Sequence, residues 1–122
     1  MEVILDTNFI ISCVKRRIDF LGELEGLGFK VKIPREVLQE MKDLKKGNTS
    51  HEERTAIDIA FRMFEEKDVK KIKIGGRGVD YGLVKKGSDG TYIATLDREI
   101  KHKIANRVVI DSAKNCLKVE RD

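Results

Sequence analysis

The sequence has few of the residues that mark zinc-binding, disulfide-rich or membrane proteins. Its 122 residues include no tryptophan, one proline and two cysteines, Cys13 and Cys116, which lie far apart without CxxC spacing. A structural zinc site is therefore not supported, and both thiols are expected in the core of a protein from a reducing compartment. No apolar run approaches the roughly 18 residues of a membrane span, and no signal-peptide pattern opens the chain. We expect a cytoplasmic protein without a membrane partner.

Nucleotide-binding and nucleophile motifs are also missing. The glycine-rich segment GGRG at 75–78 matches neither GxGxxG nor GxxxxGK[ST], so a nucleotide site is not indicated. The two histidines, His51 and His102, have no spacing that suggests a Ser-His-Asp or Cys-His arrangement. Neither class of site can be argued from this sequence.

Positive charge is concentrated in the C-terminal part of the chain. Residues 1–69 carry 12 Lys/Arg and 14 Asp/Glu, whereas residues 70–122 carry 13 and 7, and the whole chain has a net charge of +4. A basic C-terminal half suits a polyanionic partner such as a nucleic acid. An ordinary solvated surface would give the same composition.

Short β-branched runs alternate with helical patterns along the chain. Such brief, continuously apolar runs are typical of parallel strands covered on both faces. We therefore predict one domain over residues 1–122, an α/β three-layer sandwich with a central, mostly parallel sheet of about five strands. The predicted strands are Val3–Leu5, Val31–Ile33, Ile72–Ile74, Tyr92–Thr95 and Val108–Ile110. Helices are predicted between them over 9–28, 34–47, 50–64, 79–86 and 98–105, and a last one over Ser112–Val119.

Carboxylates lie after each predicted strand. Asp6 follows the first strand, Asp97 the fourth and Asp111 the fifth, while Glu40 lies in the helix after the second and Asp80 beyond the third. Because right-handed crossovers put the carboxyl ends of parallel strands at one edge of the sheet, these acids are expected to converge. Converging acids repel unless a cation neutralises them, and Mg²⁺ or Mn²⁺ suits such oxygen ligands. Helix capping is the alternative role for Asp6 and Asp97, and the expected one for Asp111.

Four motifs occur together: ILDTNFII at the start, VLQEM after the second strand, the helix start at Asp80, and YIATLDREIK late in the chain. In this combination the sequence resembles the PIN-domain nucleases, in the form of an archaeal-type single-domain protein. The resemblance implies a PIN-like fold in which Asp6, Glu40, Asp80 and Asp97 hold Mg²⁺ or Mn²⁺ as catalytic acids. It also implies that Asn8 and Thr95 orient the acids through hydrogen bonds.

Three assignments stay open at this point. Asp89, in the turn GSDG, is a second candidate for the third acid, and Asp80 is preferred because it begins a helix leading back to the sheet. Tyr81, next to Asp80, could stack on a base. A set of basic side chains could contact RNA phosphates or form a solvated face: Lys73, Arg77, Arg98, Lys101 and Lys103.

The resulting hypothesis is an Mg²⁺- or Mn²⁺-dependent endoribonuclease that hydrolyses RNA phosphodiester bonds. The resemblance implies two contexts. One is ribosomal-RNA processing beside a ribosome-assembly protein, which YIATLDREIKHKI slightly favours; the other is a toxin with an antitoxin partner and a homodimeric state. A PIN-like RNA-binding or assembly module without catalysis is the alternative from another class. A receiver-type phosphoacceptor is not supported, because no Asp pair follows the first strand and no Lys directly follows the last, where the sequence reads VVIDS.

Overall fold

The computed structural model describes residues 1–76 and 78–121, and a six-stranded sheet forms the centre of this part of the chain. The strands are β1 (Glu2–Leu5), β2 (Lys30–Pro34), β3 (Lys70–Ile72), β4 (Tyr92–Ala94), β5 (Asn106–Asp111) and β6 (Cys116–Arg121). Their spatial order is β3-β2-β1-β4-β5-β6. All neighbours pair in parallel except β5 and β6, which are antiparallel. The predicted, mostly parallel α/β sheet is confirmed, with one strand more than expected.

Helices cover both faces of the sheet. They are α1 (Thr7–Lys15), α2 (Phe20–Gly26), α3 (Arg35–Lys46), α4 (His51–Glu66), α5 (Val79–Ser88) and α6 (Arg98–Lys103). Side chains alternate across a strand, so Val3 and Leu5 pack into the core of α1 to α4, and Ile4 packs into the core of α5 and α6. This arrangement is the predicted three-layer sandwich. None of the helices in the described residues is long and apolar enough to cross a membrane.

The helical stretch predicted over 9–28 is divided into two helices. The break follows α1, where Arg17 has a positive φ of 59°, a conformation that costs most L-residues energy. Asp19 then starts α2 by accepting a hydrogen bond from the Gly22 N–H at 3.2 Å. The two helices meet again through Phe9 and Phe20, whose rings make an edge-to-face contact with centroids 6.5 Å apart.

The prediction of a final helix over Ser112–Val119 is wrong, because this segment forms a turn and the sixth strand. Oδ1 of Asp111 accepts from the backbone N–H groups of Ala113 (3.2 Å) and Lys114 (3.1 Å), so this acid caps a turn and not a helix. Asn115 completes the turn with a positive φ of 52°, which Asn tolerates better than most residues.

The β5–β6 pairing explains why this C-terminal segment forms a strand and not the predicted helix. Leu117 lies opposite Ile110 and Val119 opposite Val108, which places apolar pairs on one side of the hairpin. The Arg107 Nε donates to Glu120 Oε1 across the same pair of strands at 2.9 Å. Cross-strand partners of this kind cannot be predicted from this segment alone. Its two apolar residues are compatible with the periodicity of a helix as well as that of a strand. Smaller differences concern β3, which ends at Ile72 and not at Ile74, and β4, which ends at Ala94.

Candidate active site

Asp6 lies at the carboxyl end of β1, where the chain leaves the sheet and enters α1. Its backbone N–H donates to the carbonyl of Ala94 at 2.9 Å, which extends the β1–β4 ladder by one residue. Its side chain caps α1, since Oδ1 accepts from the Thr7 N–H at 2.8 Å. The residue is 7% exposed. Asp6 is therefore both a helix cap and a buried carboxylate at the carboxyl edge of the sheet.

Thr95 connects Asp6 to Asp97. The Thr95 hydroxyl donates to Oδ2 of Asp6 at 2.8 Å and accepts from the backbone N–H of Asp97 at 3.1 Å. Asp97 in turn caps α6, because its Oδ1 accepts from the N–H groups of Glu99 (2.8 Å) and Ile100 (3.3 Å). Thr95 is completely buried. One hydroxyl thus fixes the end of β1 relative to the start of α6.

The electrostatic environment of Asp6 is set by other acids. Burial raises the pKa of Asp6 above its ordinary value, and the nearby carboxylates of Asp80 and Glu40 raise it further. Hydrogen bonds from Thr95 and Thr7 act in the opposite direction without cancelling the rise. Asp80 is exposed in the first turn of α5, and Glu40 is exposed on α3. Acids from three separate elements are therefore close enough to interact.

A cleft between α5 and α6 contains two of the predicted acids. Its volume is about 240 Å³, and it is lined by Asp80, Tyr81, Val84, Asp97, Glu99, Ile100 and Lys103. The cleft thus brings Asp80 and Asp97 together, while Asp6 interacts electrostatically with Asp80 and Glu40.

Two other predicted positions form no hydrogen bond with these acids within the described residues. Asp89 is the C-cap residue of α5, so the rise of an α-helix puts it about 13 Å from Asp80 along the axis. Asn8 is exposed in the first turn of α1. Within the described residues, its side chain has no hydrogen bond to Asp6 or Asp97.

The predicted basic residues fall into separate groups. Lys103 lines the acid cleft. Arg98 and Lys101 line a neighbouring groove of about 440 Å³ with His102, Arg107 and Glu120. Lys73 is exposed after β3. Arg77 lies outside the described residues. Helix α6 therefore separates an acidic cleft from a mainly basic groove.

Glu36 is a residue beside the site that sequence reasoning did not assign. Its Oε1 accepts from the Ile74 N–H at 3.3 Å and its Oε2 from the Gly75 N–H at 2.9 Å. Burial would raise the pKa of Glu36, but hydrogen bonds from Gly75, its own N–H and Ile74, together with the charge of Lys73, lower it overall. Glu36 thereby attaches the first turn of α3 to the segment that leads into α5. No local sequence signal reveals this contact, because the partners are 38 and 39 residues away.

The donor chemistry of the cluster fits a hard divalent cation. None of the four acids forms an ion pair with a lysine or arginine among the described residues. Beside Asp6, the buried Thr7 Oγ1 has no hydrogen-bond partner in the described residues. As the side chains stand, no three Asp, Glu, His or Cys residues within 1–76 and 78–121 are grouped tightly enough to hold one ion. The four acids offer only oxygen donors, the type that Mg²⁺ and Mn²⁺ prefer, and two of them line the cleft between α5 and α6.

The family follows from a match over most of the chain. A family model described as a PIN like domain matches residues 3–112. The chain belongs to the PIN-like domain family, as the four sequence motifs indicated. Among curated proteins, none gives a significant match.

Solved structures with the same fold include a PIN domain endonuclease. The endonuclease Utp24 superposes with a TM-score of 0.73 at 24% identity, over 99% of this chain and 92% of that chain. VapBC2 from Rickettsia felis, bound to a DNA fragment from its promoter, gives 0.56 at 14% identity, over 91% and 100%. A domain of a functionally unknown protein from Methanocaldococcus jannaschii gives 0.53 at 16% identity, over 83% and 81%. These likenesses establish the fold.

Proposed function

We propose that this chain is an Mg²⁺- or Mn²⁺-dependent endoribonuclease that hydrolyses RNA phosphodiester bonds. The observation that carries the proposal is the placement of Asp6. It is buried at the carboxyl edge of a PIN-like sheet, its pKa is raised by burial and by Asp80 and Glu40, and Thr95 ties it to Asp97. A fold that keeps a buried carboxylate among other acids, without a basic partner in the described residues, accepts an unfavourable arrangement that a bound cation would relieve.

The chain's own residues have distinct roles in this proposal. Asp6, Glu40, Asp80 and Asp97 would hold the ion. When bound, the ion would polarise a phosphoryl oxygen and lower the pKa of a water molecule for attack. Thr95 keeps the end of β1 and the start of α6 in a fixed relation through its two hydrogen bonds.

Basic residues next to the acids would bind the substrate backbone. Lys103 lies in the acid cleft and would contact the phosphate nearest the reaction. Arg98 and Lys101 line the adjoining groove, where they would bind flanking phosphates. The net charge of +4 supports a polyanionic substrate.

The substrate class proposed is single-stranded or looped RNA. The two acids that line the cleft, Asp80 and Asp97, are exposed, so a strand must come to the protein with its backbone accessible. Unpaired segments allow this, whereas the major groove of an A-form duplex is too deep and narrow for side chains. The fold shared with Utp24 supports an endonuclease, and the segment YIATLDREIKHKI is what favours a role in ribosomal-RNA processing.

Cleavage of a single-stranded RNA by the purified chain tests the proposal. With Mn²⁺ present, we expect the wild-type protein to cleave and Asp6→Asn to be slower by more than about 100-fold, because a ligand has been removed from the acid cluster. Asp80→Asn should cause a comparable loss. Asp89→Asn is the matched control, since it removes the same charge from the far end of α5, and it should cleave like the wild type.

The same assay separates the open assignments. If Asp89→Asn abolished cleavage and Asp80→Asn did not, Asp89 would be the third acid. If the wild-type chain bound RNA and never cleaved it with Mg²⁺ or Mn²⁺, the non-catalytic RNA-binding module would replace the nuclease. Circular dichroism of each variant ensures that lost activity is not lost folding.

A toxin role is the second candidate, and the fold shared with VapBC2 is the observation that favours it. A toxin would have an antitoxin partner and would be expected to form a homodimer. Expression of the wild-type chain alone in a bacterial host would then stop growth, while Asp6→Asn would not. Normal growth with a cleavage-competent chain would favour RNA processing.

A further inference from the structure

We propose that Tyr81 is a stacking platform for an unpaired nucleobase at the mouth of the acid cleft. The inference rests on the proposed function for the identity of the ligand as RNA, and it adds a recognition element to that site. A stacking platform at this position would favour an RNA strand in which the base next to the reacting phosphodiester is unpaired. Such a base can move away from its neighbouring bases and stack on the tyrosine.

Tyr81 is unusual among the aromatic residues of the chain. It is 51% exposed, whereas Phe9, Phe20, Phe64 and Tyr92 are all buried. Single exposed apolar residues are common and by themselves signify nothing. The position of this one is what matters, because it lines the same cleft as Asp80 and Asp97.

The ring of Tyr81 is supported on one side by the backbone of Gly76. A Cβ atom added to Gly76 would lie 3.1 Å from Cδ1 and 3.4 Å from Cε1 of the ring. Gly76 also has a φ of +83°, which side-chain-bearing residues rarely adopt. The absence of a side chain at Gly76 therefore lets the ring rest close to the main chain while its remaining surface stays open.

Glu36 holds that support in place. Its carboxylate accepts hydrogen bonds from the N–H groups of Ile74 and Gly75, directly before Gly76. The contacts run from α3 through this segment to the Tyr81 ring at the start of α5. A ring that rests against main chain fixed in this way has less freedom to lose on binding, which favours stacking. Glu36 is thus a positioning residue for the platform.

The cleft combines the features that bind a single strand. Asp80 and Asp97 are the acids of the proposed reaction, Lys103 supplies a positive charge for a phosphate, and Tyr81 supplies a flat apolar surface for a base. Proteins that bind single strands without sequence preference use this pairing of basic and aromatic side chains. A duplex would keep its bases stacked and could not use the tyrosine.

Tryptophan fluorescence tests the platform directly, because the chain has no tryptophan of its own. We expect the emission of Tyr81→Trp to change when single-stranded oligoadenylate is added in Ca²⁺, which neutralises the acids through oxygen coordination. Ile59→Trp, at a 39% exposed position on α4, is the matched control and should not respond. Inorganic polyphosphate, an anionic chain without bases, should leave the emission of Tyr81→Trp unchanged.

Affinity measurements on the unlabelled protein give a second test that does not depend on the tryptophan variants. Tyr81→Ala should bind oligoadenylate about 5- to 150-fold more weakly than the wild type, the range measured for loss of one base–aromatic stack. Tyr81→Phe should bind like the wild type. All three proteins should bind polyphosphate equally.

These outcomes separate the platform from the nuclease. An equal fluorescence response at positions 81 and 59, a response to polyphosphate, or unchanged oligoadenylate affinity in Tyr81→Ala would overturn the platform, even if Mn²⁺-dependent cleavage that requires Asp6 were observed. Conversely, a base-dependent response at position 81 in a protein that never cleaves RNA would support the platform and remove the nuclease.

Discussion

The two faces of the sheet are packed in different ways. Under α1 to α4, large side chains fill the core, and Phe20 makes edge-to-face contacts with both Phe9 and Phe64, with ring centroids 6.5 and 6.2 Å away. Under α5 and α6, the core in the described residues is a small aliphatic cluster. There the close packing depends on a missing side chain, because a Cβ at Gly87 would lie 2.3 Å from Cγ2 of Ile104. Large side chains fill the core on one face of the sheet, whereas the core on the other face depends on the close approach of a side chain to a glycine backbone.

The acid cluster spans both faces. Asp6 begins α1 and Glu40 lies on α3, on the thickly packed side, whereas Asp80 and Asp97 begin α5 and α6 on the thinly packed side. Regions with fewer buried apolar contacts open at lower free energy than the main core. Half of the proposed site is therefore carried by the less stable layer, and the two layers should respond differently to the same kind of damage.

The largest expected effects come from core truncations on each face. Phe20→Ala should lower the free energy of unfolding by about 3–5 kcal/mol, because a completely buried ring with two aromatic neighbours is lost. Leu83→Ala, on the thin face, should cost about 2 kcal/mol, at the low end for Leu→Ala, since Val79 and Val84 around it are only partly buried. Urea unfolding measures both.

The losses of cleavage activity in these two variants should rank in the opposite order to their losses of stability. At a temperature where both variants are folded, we expect Leu83→Ala to lose more cleavage activity per folded molecule, because Leu83 supports α5, whose first turn carries Asp80. Equal specific activities in the two variants would mean that the thin face does not position the acids.

The sheet could be predicted because its signals are local, and the misses are places where they are not. Val3–Leu5 followed by Asp6 is a buried strand that ends in a polar residue, and Tyr92–Ala94 followed by Thr95 repeats this pattern. In contrast, the strand Cys116–Arg121 is recognisable only with Ile110 and Val108 opposite it. A short apolar pair such as Leu117 and Val119 fits a helix or a strand until its partner is known.

For the proposed site, the sequence suggests candidate residues but not how their side chains are connected. The motifs named Asp6, Thr95 and Asp97, but the sequence does not reveal that one hydroxyl bridges the two acids. It also does not reveal the attachment of Glu36 to the backbone before Gly76, because a carboxylate that binds main-chain N–H groups leaves no mark at the donor positions. Such contacts depend on how distant segments pack.

An intermediate loss of stability is expected from Thr95→Val. This substitution keeps the shape of the side chain and removes the hydroxyl that lies between the two faces of the sheet. Loss of a hydrogen bond to a buried charged group should cost about 1.5–3 kcal/mol. Because the bond from Thr95 lowers the pKa of Asp6, its removal should raise that pKa, and cleavage should fail at a higher pH on the acid side. Thr95→Ser keeps a hydroxyl and should restore the wild-type pH profile. An unaltered profile in Thr95→Val would show that the bridge has no role in tuning Asp6.

The smallest change in the free energy of unfolding is expected from Asp6→Asn without metal, and the sign of this change is the least obvious. Near neutral pH in EDTA, this variant should be more stable than the wild type by about 0.5–2 kcal/mol. Burial, Asp80 and Glu40 all disfavour the ionised Asp6, whereas an amide oxygen can still accept from the Thr7 N–H. Since the pKa of Asp6 is higher in the folded than in the unfolded chain, the wild type gains stability as the pH falls through the folded value. The two proteins should therefore converge at low pH.

Urea midpoints measured over a pH series, without and with Mn²⁺, check this sign. Mn²⁺ should stabilise the wild type, by about 2.7 kcal/mol at a free concentration 100 times its Kd, and should act far less on Asp6→Asn, so that the order of stability reverses. Asp89→Asn, with its carboxylate at the far end of α5, should show neither the metal-free gain nor the reversal. If Asp6→Asn were instead the weaker protein in EDTA, the hydrogen bonds of Asp6 would outweigh the repulsion. The acids on the two faces of the sheet could then lie close together without a bound ion. The main physical reason for proposing a metal ion between these acids would be gone.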